Sequence, residues 1–193
     1  MRRPSDSSEF TDQVLELLRR SGPAGVIRFC QELLDGEQLP EGVSRADLLT
    51  EIGQYSEIAG YADAAVVAYQ DAIAEGRPWF SDPRQYLASW HFEHGDLSEG
   101  QRFLDEIWSE RPRSPRVCHY VGELHEHRGD LAAAIRWLTA GALTAMRDDD
   151  AAPVEAALLL IARRRVRLAQ GFTDDDYDEM AVELGELFQR RTG

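Results

Sequence analysis

The sequence predicts an all-α fold, an α-solenoid of about ten helices stacked as antiparallel pairs, without strands. Three observations predict it. Glycine recurs in one context, at Gly60-Tyr61-Ala62, Gly95-Asp96-Leu97 and Gly129-Asp130-Leu131, at intervals of 35 and 34 residues. Each glycine is followed at fixed offsets by a small residue, a large apolar one and a third: Ala65, Tyr69, Ala72; Gly100, Leu104, Ile107; Ala134, Leu138, Gly141. Each is also preceded by a large-small step, Ile52-Gly53, Leu87-Ala88 and Val121-Gly122. Such a period marks helix pairs whose apolar faces are covered only by their neighbours.

Taken in order, two helices at about 8–20 and 23–35 open the chain as an N-terminal pair over residues 7–36. Ser44 with Asp47 forms a capping box that starts the first clear unit, 46–80. Gly60 ends its first helix, where a left-handed residue closes the last turn without a Cβ clash. Ser81-Asp82-Pro83 and Ser114-Pro115 place a cap before proline and start the units 81–114 and 115–148. Pro153 opens an apolar helix to about 170, Gly171 breaks it, and Thr173 with Asp176 repeats the capping box. The last helix, about 174–190, carries Tyr177, Met180, Ala181, Leu184, Leu187 and Phe188 on one stripe. Its polar opposite side suits the cap of a C-terminal pair over 153–191, and the whole chain, 1–193, reads as one domain.

Three in-phase copies across residues 46–146 resemble the tetratricopeptide repeat family, whose period is 34 residues. Pro112 falls at that family's closing-proline position and Pro78 one residue away from it. The family's Trp near the start of each unit is here Leu49, Arg84 and Cys118. His91 and His125 stand where the family usually carries Tyr, which implies packing between helices. The resemblance implies a right-handed solenoid whose inner face, built from the first helix of each unit, takes an extended or helical peptide. Carried across, the groove positions are Asp47, Thr50, Glu51, Gln54 and Glu57, then Asp82, Gln85, Tyr86, Ser89, Phe92 and Glu93. The third unit supplies Arg116, His119, Tyr120, Glu123, Glu126 and His127. Acids dominate around aromatic anchors, so the expected partner is a protein segment bearing Arg or Lys beside hydrophobic side chains. One subclass of the family grips carboxylate-ended tails with Lys and Asn; this chain has neither residue.

Composition narrows the function further. The net charge of −14 opposes binding to nucleic-acid phosphates or anionic membranes. All 21 basic side chains are Arg, which excludes a P-loop lysine, Schiff-base chemistry and pyridoxal attachment. The absence of Asn removes any N-glycosylation acceptor. Cys30 and Cys118 sit on apolar helical stripes and read as reduced core thiols. The start lacks an apolar leader and the longest apolar run, Ala156 to Ala162, is too short to span a bilayer, so a cytoplasmic protein is expected.

No catalytic motif of the Gly-x-Ser-x-Gly, Gly-x-Gly-x-x-Gly or His-Glu-x-x-His kind is present. His119, Glu123 and His127 share a helix face at metal-ligand spacing, but they extend over about 12 Å, too far for three ligands at one ion. The cluster of Arg163, Arg164, Arg165 and Arg167 reads as an internal partner for Asp148-Asp149-Asp150 or for the acids of the last helix. The expectation is a non-catalytic interaction scaffold without cofactor or metal, whose output comes from complex formation because no effector domain is read in the chain. The alternatives are a homo-oligomeric structural protein and a regulator responding to metal or a small molecule through His119 and His127.

Overall fold

The computed structural model describes residues 3–76, 78, 81–110, 114–147 and 153–192, with backbone alone at 153 and 187–192. Pro112, Asp148–Asp150 and the side chains of Leu187 and Phe188 lie outside the described residues. Among those described, the chain forms nine helical segments. They are α1 (Ser7–Leu34), α2 (Arg45–Ile58), α3 (Ala62–Glu75), α4 (Pro83–Glu93), α5 (Leu97–Ser109), α6 (Pro115–His127), α7 (Leu131–Ala145), α8 (Pro153–Ala169) and α9 (Asp176–Thr192). An isolated bridge between Asp6 and Glu41 is the only β feature among them.

α1 is not one rod. Gly22 inside it has φ 65° and ψ −169°, and Pro23 follows. The rings of Phe10 and Phe29 stand 6.0 Å apart. On a continuous helix, 19 residues would separate them by about 28 Å. The chain therefore folds back at Gly22, and the two halves are the two N-terminal helices that the sequence predicts.

Each predicted glycine stop is a real one. At Gly129 φ is +79°. Its N–H donates to Glu126 O, and the Asp130 N–H reaches back to His125 O at 2.9 Å. The same pair of bonds closes α2 at Gly60, α4 at Gly95 and α8 at Gly171. The fourth turn lies outside the sequence period because α7 and α8, with 15 and 17 residues, are longer than the 13-residue α5 and α6.

The tertiary contacts divide into two compact units, Met1–Phe103 and Leu104–Gly193. In the first, Phe10, Val14, Val26, Phe29, Cys30 and Leu33 of α1 pack with Leu48 and Ile52 of α2. A smaller cluster of Ala65, Tyr69 and Leu87 joins α3 to α4. A Cβ added at Gly53 would stand 2.3 Å from the Tyr69 ring, so α2 and α3 approach through a missing side chain. In the second unit, Gly122 faces Leu138 in the same way, and Gly141 faces Cys118 and Leu159. Trp137 is buried there edge-to-face against Trp108, with ring centroids 4.8 Å apart.

One helix start differs from its expectation. The box that opens α9 is formed by Asp175 and Asp178, each accepting the other's backbone N–H at 3.1–3.2 Å, and not by Thr173 with Asp176. The carboxylates of Asp175 and Asp178 are already fixed by arginines of α8, so the cap forms where they are held. No helix among the described residues is long and apolar enough to cross a membrane.

Candidate partner-binding faces

In the first unit, Glu51 and Glu57 of α2 act on Tyr86 of α4, and Glu93 of α4 acts on Glu57. Tyr69 of α3 donates its hydroxyl to Glu57 at 3.0 Å and stacks on Tyr86 at 5.1 Å. Gln54 donates to Ser81 at 3.5 Å. Partial burial raises the Glu57 carboxyl above the ordinary glutamate range; the Tyr69 hydrogen bond opposes this and the charge of Glu93 adds to it. Burial, then the charge of Glu51, pushes the Tyr55 hydroxyl up to about 12. Tyr86 is raised by burial, with Glu51 and Glu57 contributing in the same direction. Glu51 and Glu57 thus both act on Tyr86, and Glu93 acts on Glu57.

Four groove residues expected from the repeat are not on this face. Asp47, Thr50, Gln85 and Ser89 are buried. Asp47 accepts the Ser44 N–H and hydroxyl as the other half of the capping box. The Thr50 hydroxyl donates to Ala46 O at 2.7 Å. Side chains turned into the helix stack cannot touch a ligand; of the expected positions in this unit, Glu51, Gln54, Glu57, Tyr86, Phe92 and Glu93 are not buried. Phe92 is itself partly structural, because its ring fills the space a Cβ at Gly100 would need. Asp82 is also occupied, capping Arg84 N and pairing with the Arg84 guanidinium.

The second unit is different. Glu126 accepts from Arg165 of α8 at 2.9 Å, and Glu123 lies 3.7 Å from the same guanidinium. His119 sits 3.6 Å from Glu123, and Arg116 pairs with Glu155 at 3.4 Å. The acids of this face are thus largely compensated, by a residue 39 positions from Glu126 on another helix. A pattern carried along one helix gives no sign of it. Tyr120 and His127 remain on the same helix, half-buried and exposed respectively.

A fold comparison completes this geometry. No family model and no curated protein matches the chain. Among solved structures, a chain of the APC/C hetero-tetramer Cut9–Hcn1 matches over 95% of this chain, with a TM-score of 0.58 at 14% identity. That neighbour, Cut9, is a tetratricopeptide-repeat protein. The fold is of the tetratricopeptide type. The chain spans 33% of the length of that neighbour.

Within the tetratricopeptide frame, the arginine cluster is internal. Arg163, only 5% exposed, donates to Asp175 and Asp178 at 2.6 Å each, and to the Thr139 hydroxyl at 3.0 Å. Arg167 donates to Asp178 at 2.7 Å and Arg164 to Asp174 at 2.9 Å. The Arg163 hydrogen bonds hold the Asp175 carboxyl well below the usual carboxylate range. The cluster ties α8 to α9 and to the loop between them.

His125 takes the repeat's tyrosine position as a buried ring with neither nitrogen hydrogen-bonded, 3.6 Å from Asp130. His91 repeats the arrangement 3.7 Å from Asp96. Burial lowers the His125 pKa; Asp130 and Asp105 oppose this while Arg128 and Arg136 add to it. The folded chain therefore binds this proton more weakly than the unfolded chain. The linked stability is complete above the unfolded value, about 6.5, and declines as pH falls below it. Thermal melts from pH 7.5 to 5 show this decline, and His125→Leu flattens it. His119, Glu123 and His127 form no three-ligand cluster with other His, Cys, Asp or Glu among the described residues.

Proposed function

We propose that this chain is a non-catalytic interaction scaffold that takes a basic or amphipathic peptide segment against the face formed by α2 and α4. The observation that supports this reading is that Glu51 and Glu57 both act on Tyr86, with Glu93 beside Glu57 and Tyr55 beside Glu51. Guanidinium or ammonium groups complement the three carboxylates, while the half-buried Tyr55 and Tyr86 offer rigid apolar area with a polar tip. The solved neighbour belongs to a hetero-tetramer, and this fold positions side chains on rigid helices. The compensated acids around Arg165 make the second unit the weaker part of the reading, with Arg116, His119, Tyr120, Glu123 and His127 as its members.

Calorimetric titration tests it. A peptide with two arginines around a leucine or tyrosine binds, whereas its glutamate counterpart does not. The double variant Glu51→Arg with Glu93→Arg weakens the basic peptide at least about tenfold, or 1.4 kcal/mol. Glu123→Arg has a smaller effect because Arg165 already neutralises that position. Equal, weak binding of both peptides would sink the proposal.

A further inference from the structure

A second surface in the first unit is built for a different contact. The second half of α1 and α3 form the walls of a trough of about 720 Å³ whose floor is α2. Arg45 locates the two walls relative to each other, since it donates to Leu34 O at the end of α1 and to Glu75 at the end of α3. The walls therefore run in the same direction. Leu49 and Ile52 form the floor, and Ile27, Leu34, Ala64 and Val67 line the sides. Val67 is 56% exposed and Tyr61, at one mouth, 60%. These are large apolar surfaces that folding leaves uncovered.

The charges of the trough are arranged by wall. Asp63 and Asp71 stand on α3, on either side of Val67, eight residues and about 12 Å apart. Arg28 stands on the α1 wall. None of the three has a side-chain hydrogen bond or ion pair among the described residues, although the chain's acids and arginines pair freely elsewhere. An apolar floor at least two helical turns long, with an acidic edge and a basic edge, matches one kind of occupant.

We infer that this trough docks an amphipathic helix from a protein partner, with an apolar stripe facing α2. That helix carries Arg or Lys about two turns apart along one edge, against Asp63 and Asp71, and an acid on the other edge, against Arg28. Apolar anchors at helical spacing supply the affinity, and the two edges set orientation and register. A compact ligand would use neither the length of the trough nor the separation of its two aspartates. The contact is independent of the α2/α4 face, whose acids are absent from the trough.

Two designed helical peptides with the same leucine stripe test the assignment. One has arginines two turns apart on one edge and a glutamate on the other; its control has these charges exchanged. Fluorescence anisotropy is expected to show the first binding at least tenfold tighter. Asp71→Arg shrinks that preference, and Val67→Arg, which obstructs the trough from an exposed position, abolishes binding of both. Circular dichroism confirms that each variant remains helical. Glu51→Arg with Glu93→Arg leaves this binding unchanged, which separates the trough from the α2/α4 face. Equal affinity for the two peptides overturns the inference, as does binding that survives Val67→Arg. Val67-dependent self-association in sedimentation, without peptide preference, overturns it in favour of a second copy as occupant.

Discussion

Replacing Arg163 by alanine lowers the unfolding free energy by about 3–5 kcal/mol. Arg163 is 5% exposed and Asp178 1%, and the guanidinium meets that carboxylate at 2.6 Å. Removing the cation leaves a carboxylate inside the α8–α9 packing with Arg167 as its remaining cation. The same change strips Asp175 of the hydrogen bonds that hold its carboxyl low, and that carboxylate helps cap α9. With a typical domain stability of about 5–15 kcal/mol, the loss is a large share of the total. Urea denaturation followed by circular dichroism measures it. Arg163→Met paired with Asp178→Leu recovers part of the loss, because it removes the buried charge pair together but also the Asp178 half of the α9 cap and a partner of Arg167. The pH dependence follows from the sign of the Asp175 shift. Its carboxyl is depressed in the folded state, so its contribution is complete above the unfolded value of about 3.9 and is lost as pH falls below it. Arg163→Ala flattens that acid limb. A loss below about 1 kcal/mol would mean that the cluster is solvated and mechanically idle.

The same substitution at two mid-helix glycines is expected to have opposite signs. Gly185→Ala in α9 gains up to about 1 kcal/mol, because alanine is the better helix former and nothing lies within 4 Å of the new methyl group. Gly53→Ala in α2 loses about 1–3 kcal/mol, because its methyl group would stand 2.3 Å from the Tyr69 ring. That ring cannot retreat cheaply. It is 1% exposed, stacks on Tyr86 and donates its hydroxyl to Glu57. The strain therefore also reaches the proposed peptide face, and Gly53→Ala weakens the basic peptide together with the fold. Paired thermal melts of the two variants decide the matter. Equal shifts would show that α2 and α3 are not in contact through Gly53.

The legible and illegible parts of this protein separate residue by residue. The three glycine stops, the Ser44–Asp47 box and the small residues at helix crossings depend on chain-local geometry, and a linear pattern reports it well. The fourth turn at Gly171 uses the same chemistry but escapes the period because its helices are longer. Among the expected groove positions, Glu51 and Glu57 lie close enough to Tyr86 to act on its hydroxyl. Asp47, Thr50, Gln85 and Ser89 are buried instead, with the Asp47 carboxylate and the Thr50 hydroxyl bonded to their own helix and its cap. The pairing of Arg165 with Glu126 and the trough below Val67 depend on side chains far apart in sequence, and no one-helix pattern contains them.

Helix identity, most helix ends and the repeat itself are legible in the sequence alone; the start of α9 is not, because arginines of α8 hold its cap. The legible features arise from glycine's left-handed freedom, from side-chain caps and from a period that brings small residues to the crossings. Which acids meet an arginine of another helix, which arginines are spent on α9 and where an uncovered apolar trough opens were decided only by tertiary structure. The reason is physical: charge compensation and apolar cover are properties of neighbouring helices, and neighbours are assigned by packing rather than by chain order.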